Sequence, residues 1–354
     1  MANFQKINIL LLFSSSDIGG AERSLSRMAL FSKDNTISYQ LATFSTNGAW
    51  SKWILSKAGN PICFNHSFWK LVKYVATEKP DIIYIIGFRL SVLLRIVKVF
   101  FPKMHLVQGV RWDPSSNVML DKTFRFVERL FGFLLDGYIV NSNSAKQSLN
   151  KLVNNNIVLI YNGVANIPQV NLKKSNNKNI ITVANLSARK GYEDYLSAIA
   201  IVVKKVPESR FLFLGNDNLN GKIQQLIIDN NLESSVKYLG FQEKIDQLLE
   251  NSAVFVLPSL YGEGCPTSIL EAFSFSLPVV AYQIDGIPEL VTHGVDGLLF
   301  DAGNVNALAD GIISLLLDPE KSIKMGISGR QKVKDYFLLN DMVKKHNDYF
   351  LGLK

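Results

Sequence analysis

Short runs rich in Ile and Val, apolar on both faces, alternate along most of the chain with stretches of helical spacing. In the first half these runs fall at 7–13, 40–44, 82–86, 105–108, 137–140 and 158–161; in the second at 179–183, 210–214, 236–239, 254–257 and 279–281. Strands apolar on both faces belong to parallel sheets covered by helices on either side. Strand–helix alternation repeated in each half predicts two doubly wound α/β domains. The expected organisation is a Rossmann-like domain over 1–167, a polar linker over 168–178, a second Rossmann-like domain over 179–330, and a C-terminal helix over 331–354 that packs back on the first domain. Ligands of such domains bind outside the carboxyl ends of the strands, so the expected site is a cleft into which both sheets open.

Length and composition agree with two cores. The chain has 354 residues, 47% of them hydrophobic, too much apolar side chain for wholesale disorder. The run 7–13 is too short for a signal peptide and is followed by Ser14-Ser15-Ser16-Asp17 rather than a small-x-small site, so it is read as a buried strand. No stretch of about 18 uncharged apolar residues predicts a membrane-spanning helix. The two cysteines, Cys63 and Cys265, lie far apart and form no C-x-x-C or His/Cys cluster. That pattern is neither a disulfide framework nor a zinc site and fits a reducing, cytoplasmic compartment.

Charge changes the picture. Residues 1–165 carry 19 Lys+Arg against 9 Asp+Glu, while 166–354 carry 19 against 21. The basic excess sits entirely in the first half and points to an anionic partner. Three stretches there, 68–74, 88–101 and 122–131, mix cations with large apolar residues. They read either as contacts to an anionic membrane surface or as ordinary sheet-covering helices with solvated Lys and Arg. No nucleic-acid-binding module is present, and none is expected as a partner.

The segment richest in chemistry is Pro258-Ser259-Leu260-Tyr261-Gly262-Glu263-Gly264-Cys265-Pro266-Thr267-Ser268-Ile269-Leu270-Glu271-Ala272. A strand ending near Leu257, a glycine-containing loop and a helix starting near Thr267 together make an anion site, because amide N–H groups at the helix start point at the loop. Glu263 lies in the loop and Glu271 one turn into the helix, where it can accept hydrogen bonds from hydroxyls. Ser268-x-x-Glu271 also fits a capping box, in which Glu271 only closes the helix start. Gly19-Gly20 after the first strand allows close backbone approach to a ligand, or simply a tight turn. There is no complete G-x-G-x-x-G and no clear Asp-x-Asp; the nearest, Asn216-Asp217-Asn218, has asparagine at both outer positions.

Glu263 and Glu271, with seven residues between them, resemble the E-x7-E motif of the family 4 retaining glycosyltransferases of GT-B fold. The resemblance runs along nearly the whole chain: Gly19-Gly20-Ala21-Glu22-Arg23, Pro80-Asp81-Ile82-Ile83-Tyr84, Tyr161-Asn162-Gly163-Val164, Arg189-Lys190-Gly191, Leu239-Gly240-Phe241 and Asp285-Gly286-Ile287-Pro288-Glu289-Leu290 match family motifs in order. It implies a nucleotide-sugar as donor substrate, a glycan or lipid-linked saccharide as acceptor, no cofactor and no metal. It implies that Glu263 contacts the transferred sugar, that Glu271 contacts the donor ribose, and that Lys190, with Arg189 beside it, holds the diphosphate. Gly264, Cys265, Pro266 and Thr267 would lie along the phosphates or sugar, with Gly19 and Gly20 opposite, and Leu239, Gly240, Phe241 and Leu248 would border the base. Gln108, Arg111, Glu22 and Asn162 are the expected acceptor contacts. Two positions depart from the family: Asn185 stands where an Arg is common, and Gln108 where many members have a His. The implied activity is retaining hexosyl transfer, from a UDP-sugar rather than a GDP-sugar, in bacterial surface polysaccharide or lipopolysaccharide synthesis on the cytoplasmic side of the inner membrane. A GT-B-shaped binding subunit without activity and a nucleotide-sugar epimerase are the alternatives.

Overall fold

The computed structural model describes residues 6–114, 118–170 and 178–354. Residues 171–177, most of the expected linker, lie outside the described residues. The chain divides into two units, Met1–Gly163 with Leu339–Lys354, and Val164–Leu338. The division thus falls a few residues before the expected 167, and the returning segment starts at Leu339 rather than 331.

The first unit is built on seven parallel strands: β1 (Ile7–Phe13), β2 (Ile37–Thr43), β3 (Ile62–Cys63), β4 (Ile82–Ile86), β5 (His105–Val110), β6 (Gly137–Val140) and β7 (Ile157–Leu159). They lie in the order β3-β2-β1-β4-β5-β6-β7. Helices α1 (Gly20–Phe31) and α2 (Ala49–Ala58) connect the strands on one side of β1; α3 (Phe68–Glu78), α4 (Phe88–Phe100), α5 (Val118–Phe131) and α6 (Asn143–Asn150) make the remaining crossovers. Alternate residues of each strand feed two cores. Ile9, Leu11, Tyr84 and Val107 pack under α1 and α2, while Leu10, Leu12, Ile83 and Ile85 pack under α3 to α6. Helix starts follow local rules: Ser67 and Ser142 cap α3 and α6 by accepting from Lys70 and Ala145 amides.

The second unit has six parallel strands, β8 (Asn179–Val183), β9 (Arg210–Leu214), β10 (Val236–Tyr238), β11 (Val254–Leu257), β12 (Val279–Tyr282) and β13 (Gly297–Phe300), in the order β10-β9-β8-β11-β12-β13. Its helices are α7 (Tyr192–Lys205), α8 (Lys222–Asp229), α9 (Asp246–Glu250), α10 (Thr267–Ser274), α11 (Ile287–Leu290), α12 (Val305–Leu317) and α13 (Pro319–Tyr336). The final helical stretch is not one helix. It breaks at Phe337, and α14 (Leu339–Leu351) buries Leu339, Met342, Val343 and Phe350 in the first unit's core. Among the described residues no helix is long and apolar enough to cross a membrane.

In each sheet the strand order reverses between the first strand and its fourth, at β1/β4 and at β8/β11. There neighbouring connections leave toward opposite faces and open a crevice at the carboxyl edge.

Candidate functional site

At the β8/β11 reversal two loops meet. The loop after β8 carries Arg189 and Lys190, and the loop after β11 carries Ser259, Gly262 and Glu263. They are tied together by backbone, the Leu260 amide donating to the Arg189 carbonyl at 2.8 Å. Gly191 allows this approach. Its φ is +66°, and a Cβ there would lie 2.0 Å from the Pro258 carbonyl oxygen. Gly191→Ala combines left-handed strain with a backbone clash, so about 1–3 kcal/mol of unfolding free energy should be lost in urea titration; an unchanged midpoint would show that the two loops need not touch.

The side chains converge on one carboxylate. Lys190 pairs with Glu263, and both are nearly inaccessible, at 9% and 5% exposure. Ser259 Oγ donates to the same Glu263 Oε1 at 2.6 Å. Arg189, more open to solvent, sets Nη1 3.5 Å from that oxygen and 3.0 Å from the Gly262 carbonyl. Asp285 fixes the loop backbone, its Oδ2 accepting from the amides of Gly262 at 2.6 Å and Glu263 at 3.0 Å. Burial by itself would raise the Glu263 carboxyl, but Lys190, Arg189 and Ser259 together hold it below the usual carboxylate range. Burial pulls the Lys190 ammonium below its usual value, with Glu263 opposing and Arg189 adding to the fall. The result is a desolvated, fixed cation beside a fixed carboxylate, held by residues from three loops.

Helix α10 starts at Thr267 with Pro266 at its cap and no side-chain cap hydrogen bond. Ser268 is therefore the second residue of the helix, and the capping-box alternative for Glu271 is not the one adopted. Glu271 sits half-buried in the fifth position. Gly264, Cys265 and Pro266 are buried between the carboxylate loop and the helix, and Thr267 is half-buried. The base-bordering candidates follow the edge strand β10. Leu239, Gly240 and Leu248 are half-buried, Phe241 is 41% exposed, and Gly240 (φ +67°) accepts from the Gly215 amide at 3.0 Å. Asn185, at the position where the family has an Arg, is used locally, its Oδ1 accepting from the Asn216 amide at 3.0 Å.

The four acceptor candidates of the first unit are engaged inside it. Gln108 is 2% exposed, and its Oε1 accepts from Ser91 and, at 3.1 Å, from Arg95. Arg111 turns back beneath the sheet edge and donates to the Tyr84 hydroxyl. Asn162 Oδ1 accepts from Ser24 Oγ at 3.1 Å. Glu22 folds onto its own helix start, where burial raises its carboxyl while the amides of Glu22 and Gly19 partly offset the rise. Each of the four thus has a contact within the first unit. Gly19 and Gly20 do stand at the carboxyl end of β1, at the α1 start. Two residues that organise the site, Ser259 and Asp285, carried no role in the sequence reading. Asp285 followed by Gly286 in a family-like motif was the available signal.

Residues 164–332 match the family model described as glycosyl transferases group 1, a stretch that begins where the second unit begins. The chain is 29% identical over 234 residues, 65% of its length, to an uncharacterized glycosyltransferase of Haemophilus influenzae. It is 31% identical over 149 residues, 42% of its length, to a UDP-Gal:alpha-D-GlcNAc-diphosphoundecaprenol alpha-1,3-galactosyltransferase of Escherichia coli. The matched stretches span 66% and 38% of those proteins' own length. The whole chain superposes on the crystal structure of Anabaena Alr3699/HepE in complex with UDP and glucose with a TM-score of 0.83, covering 97% of this chain and 99% of that one at 22% identity. Residues 164–332 are thus similar to the glycosyl transferases group 1 family, and the chain, with its two parallel-sheet α/β units, has the GT-B fold.

Proposed function

We propose that the protein is a retaining glycosyltransferase of family 4 that moves a hexosyl unit from a UDP-sugar to a glycan or lipid-linked saccharide in bacterial surface polysaccharide synthesis. The buried Lys190–Glu263 pair at the β8/β11 reversal carries this reading. As the glycosidic bond to the diphosphate breaks, negative charge grows on the leaving phosphate oxygen, and a preplaced cation stabilises that charge more in the transition state than in the ground state. Lys190 supplies it, with Arg189 as the second cation in place of the Arg absent at 185. Each charge-assisted hydrogen bond contributes about 1.5–3 kcal/mol. Glu263 accepts hydrogen bonds from the transferred sugar and orients it, and Glu271 receives the ribose hydroxyls. The acceptor hydroxyl attacks from the face the diphosphate leaves, and the leaving phosphate oxygen takes the hydroxyl proton. That route needs no protein base. The two cations and the α10 start provide the charge that a metal would otherwise supply.

The UDP preference is supported by the UDP-bound structure of similar fold, and the lipid-linked acceptor by the activity of the Escherichia coli relative. Thermal shift against UDP, GDP and ADP tests the donor site. A ligand that binds the folded state alone at about a hundred times its Kd adds about 2.7 kcal/mol of stability. UDP should raise the melting temperature with and without EDTA, and Glu271→Ala should remove the rise. A shift with GDP alone, or one abolished by EDTA, would overturn the donor or the metal-free part of the proposal.

A further inference from the structure

The carboxyl edge of the first unit's sheet ends on one side in the loops after β2 and β3. Both loops are fixed. After β2, the Gly48 amide donates to Ser16 Oγ and the Trp50 amide to the Ser16 carbonyl, each at 2.9 Å. After β3, Asn65 and His66 both take left-handed backbone, with φ of +53° and +58°. Two such residues in succession, neither a glycine, persist only where their surroundings hold them. The β2 loop does so here. The Asn65 amide donates to the Ser45 carbonyl at 3.2 Å and the His66 amide to the Phe44 carbonyl at 2.7 Å, and His66 Nε2 lies 3.3 Å from Ser45 Oγ.

Aromatic rings gather at this corner. Phe44 meets His66 edge to face at 6.0 Å, and Phe68 meets Trp69 at 6.1 Å. Trp69, in the first turn of α3, is 78% exposed, more than any other large apolar side chain among the described residues. Thr46, Asn47, Asn65 and His66, in the same two loops, are exposed as well. Residues 44–48 and 64–69 contain no Lys, Arg, Asp or Glu, although they lie in the basic half of the chain; Lys70 is the first charge after them. An open indole with neutral hydrogen-bonding groups suits a pyranose, whose C–H face a ring can bury and whose hydroxyls amide, hydroxyl and imidazole groups can meet. An anionic ligand would call for cations in these loops.

We propose that the loops after β2 and β3 form a saccharide subsite, in which Trp69 stacks on a neutral sugar unit of the acceptor and Asn47, Asn65 and His66 hydrogen-bond its hydroxyls. The edge strand β3 lies two strands from β1, roughly 10 Å from the β1/β4 reversal, so the unit held here is not the reacting end, and an oligosaccharide is favoured over a monosaccharide. The inference rests on the reading of the protein as a transferase with a glycan acceptor, but its test has a readout of its own. The probes are neutral oligosaccharides of two to six units, of the glucose, mannose, galactose and N-acetylglucosamine series, titrated into the full chain in a calorimeter without UDP. At least one series should bind. Trp69→Ala should weaken that binding about thirtyfold, as loss of an aromatic anchor does. Trp69→Phe should keep part of it, and Asn47→Ala should cost about two- to tenfold. Phe133→Ala, at an exposed ring after α5, should change nothing. Bound saccharide should also protect fluorescence from acrylamide quenching, because Trp50 is buried, Trp53 and Trp112 are half-buried, and Trp69 is the open indole. Unchanged urea midpoints check that the variants are folded. No binding in any series, binding that Trp69→Ala leaves intact, or an equal loss in Phe133→Ala would overturn the proposal. So would protection of Trp69 by phosphatidylglycerol vesicles and by none of the oligosaccharides, which would make it a membrane contact. Stabilisation by UDP without saccharide binding would remove the subsite and leave the transferase reading standing. Saccharide binding that depends on Trp69, without stabilisation by UDP, would do the reverse.

Discussion

Glu263→Gln should lower sugar transfer by two to three orders of magnitude, and Lys190→Ala by at least as much. Removing one preplaced donor from a developing oxyanion costs about a hundred- to a thousandfold in rate; Lys190→Ala does this directly, and Glu263→Gln removes the carboxylate that holds Lys190 in place as well as the sugar's acceptor. The structure adds an effect on stability. Both groups are buried, so removing one leaves the other charge without its partner, a loss of about 3–5 kcal/mol for such pairs. Single variants should therefore melt lower as well as turn over more slowly. The combination Lys190→Met with Glu263→Gln separates the two effects, because replacing both members of a buried pair by neutral groups of similar volume is close to neutral for stability. The double variant should recover most of the melting temperature and none of the transfer. Recovery of transfer in the double variant, or single variants with turnover close to wild type, would remove the pair from the mechanism.

Acidification should destabilise the first unit well above the pH at which carboxylates titrate. His346 of α14 is wholly buried beside the Tyr84 and Phe350 rings, at 5.8 and 6.1 Å. Its Nδ1 lies 2.8 Å from the Met342 carbonyl, so the neutral ring donates there and Nε2 is left bare in the interior. Burial first, then the charge of Arg111, push its pKa from 6.5 to about 3, with the Met342 carbonyl opposing. The folded value lies below the unfolded one, so the stabilisation is complete above pH 6.5 and is lost as pH falls toward 3. Each pH unit in that window removes about 1.4 kcal/mol, or about 2 kcal/mol between pH 6.5 and 5. Glu263 contributes only lower down. Its folded value is depressed, so its stabilisation is present above its ordinary 4.5 and is lost below it. Trp50, Trp53, Trp69 and Trp112 all belong to the first unit, so tryptophan fluorescence reports this transition directly. His346→Phe should flatten the stability profile between pH 7 and 5. An equally steep profile in that variant would move the effect to another group.

The sequence determined the parts of this protein that depend on local periodicity. Runs such as Ile82–Ile86 and Val254–Leu257, apolar on both faces, can only be central parallel strands. The sequence also placed Lys190 and Glu263 in loops that follow strands, the two positions whose chemistry the fold later joined. It missed β3, which at two residues is too short to show a period, and also β13. Tertiary structure alone decided what each polar side chain touches. Gln108 points to the α4 side of the sheet and Arg111 to the α14 side, and each finds an internal partner from a distant element. The pairing of Lys190 with Glu263 spans 73 residues, and Asp285 holds the loop from 22 residues beyond. Neither was legible in advance, because hydrogen bonding between distant residues is set by strand order and the direction of the pleat, and no local pattern encodes either.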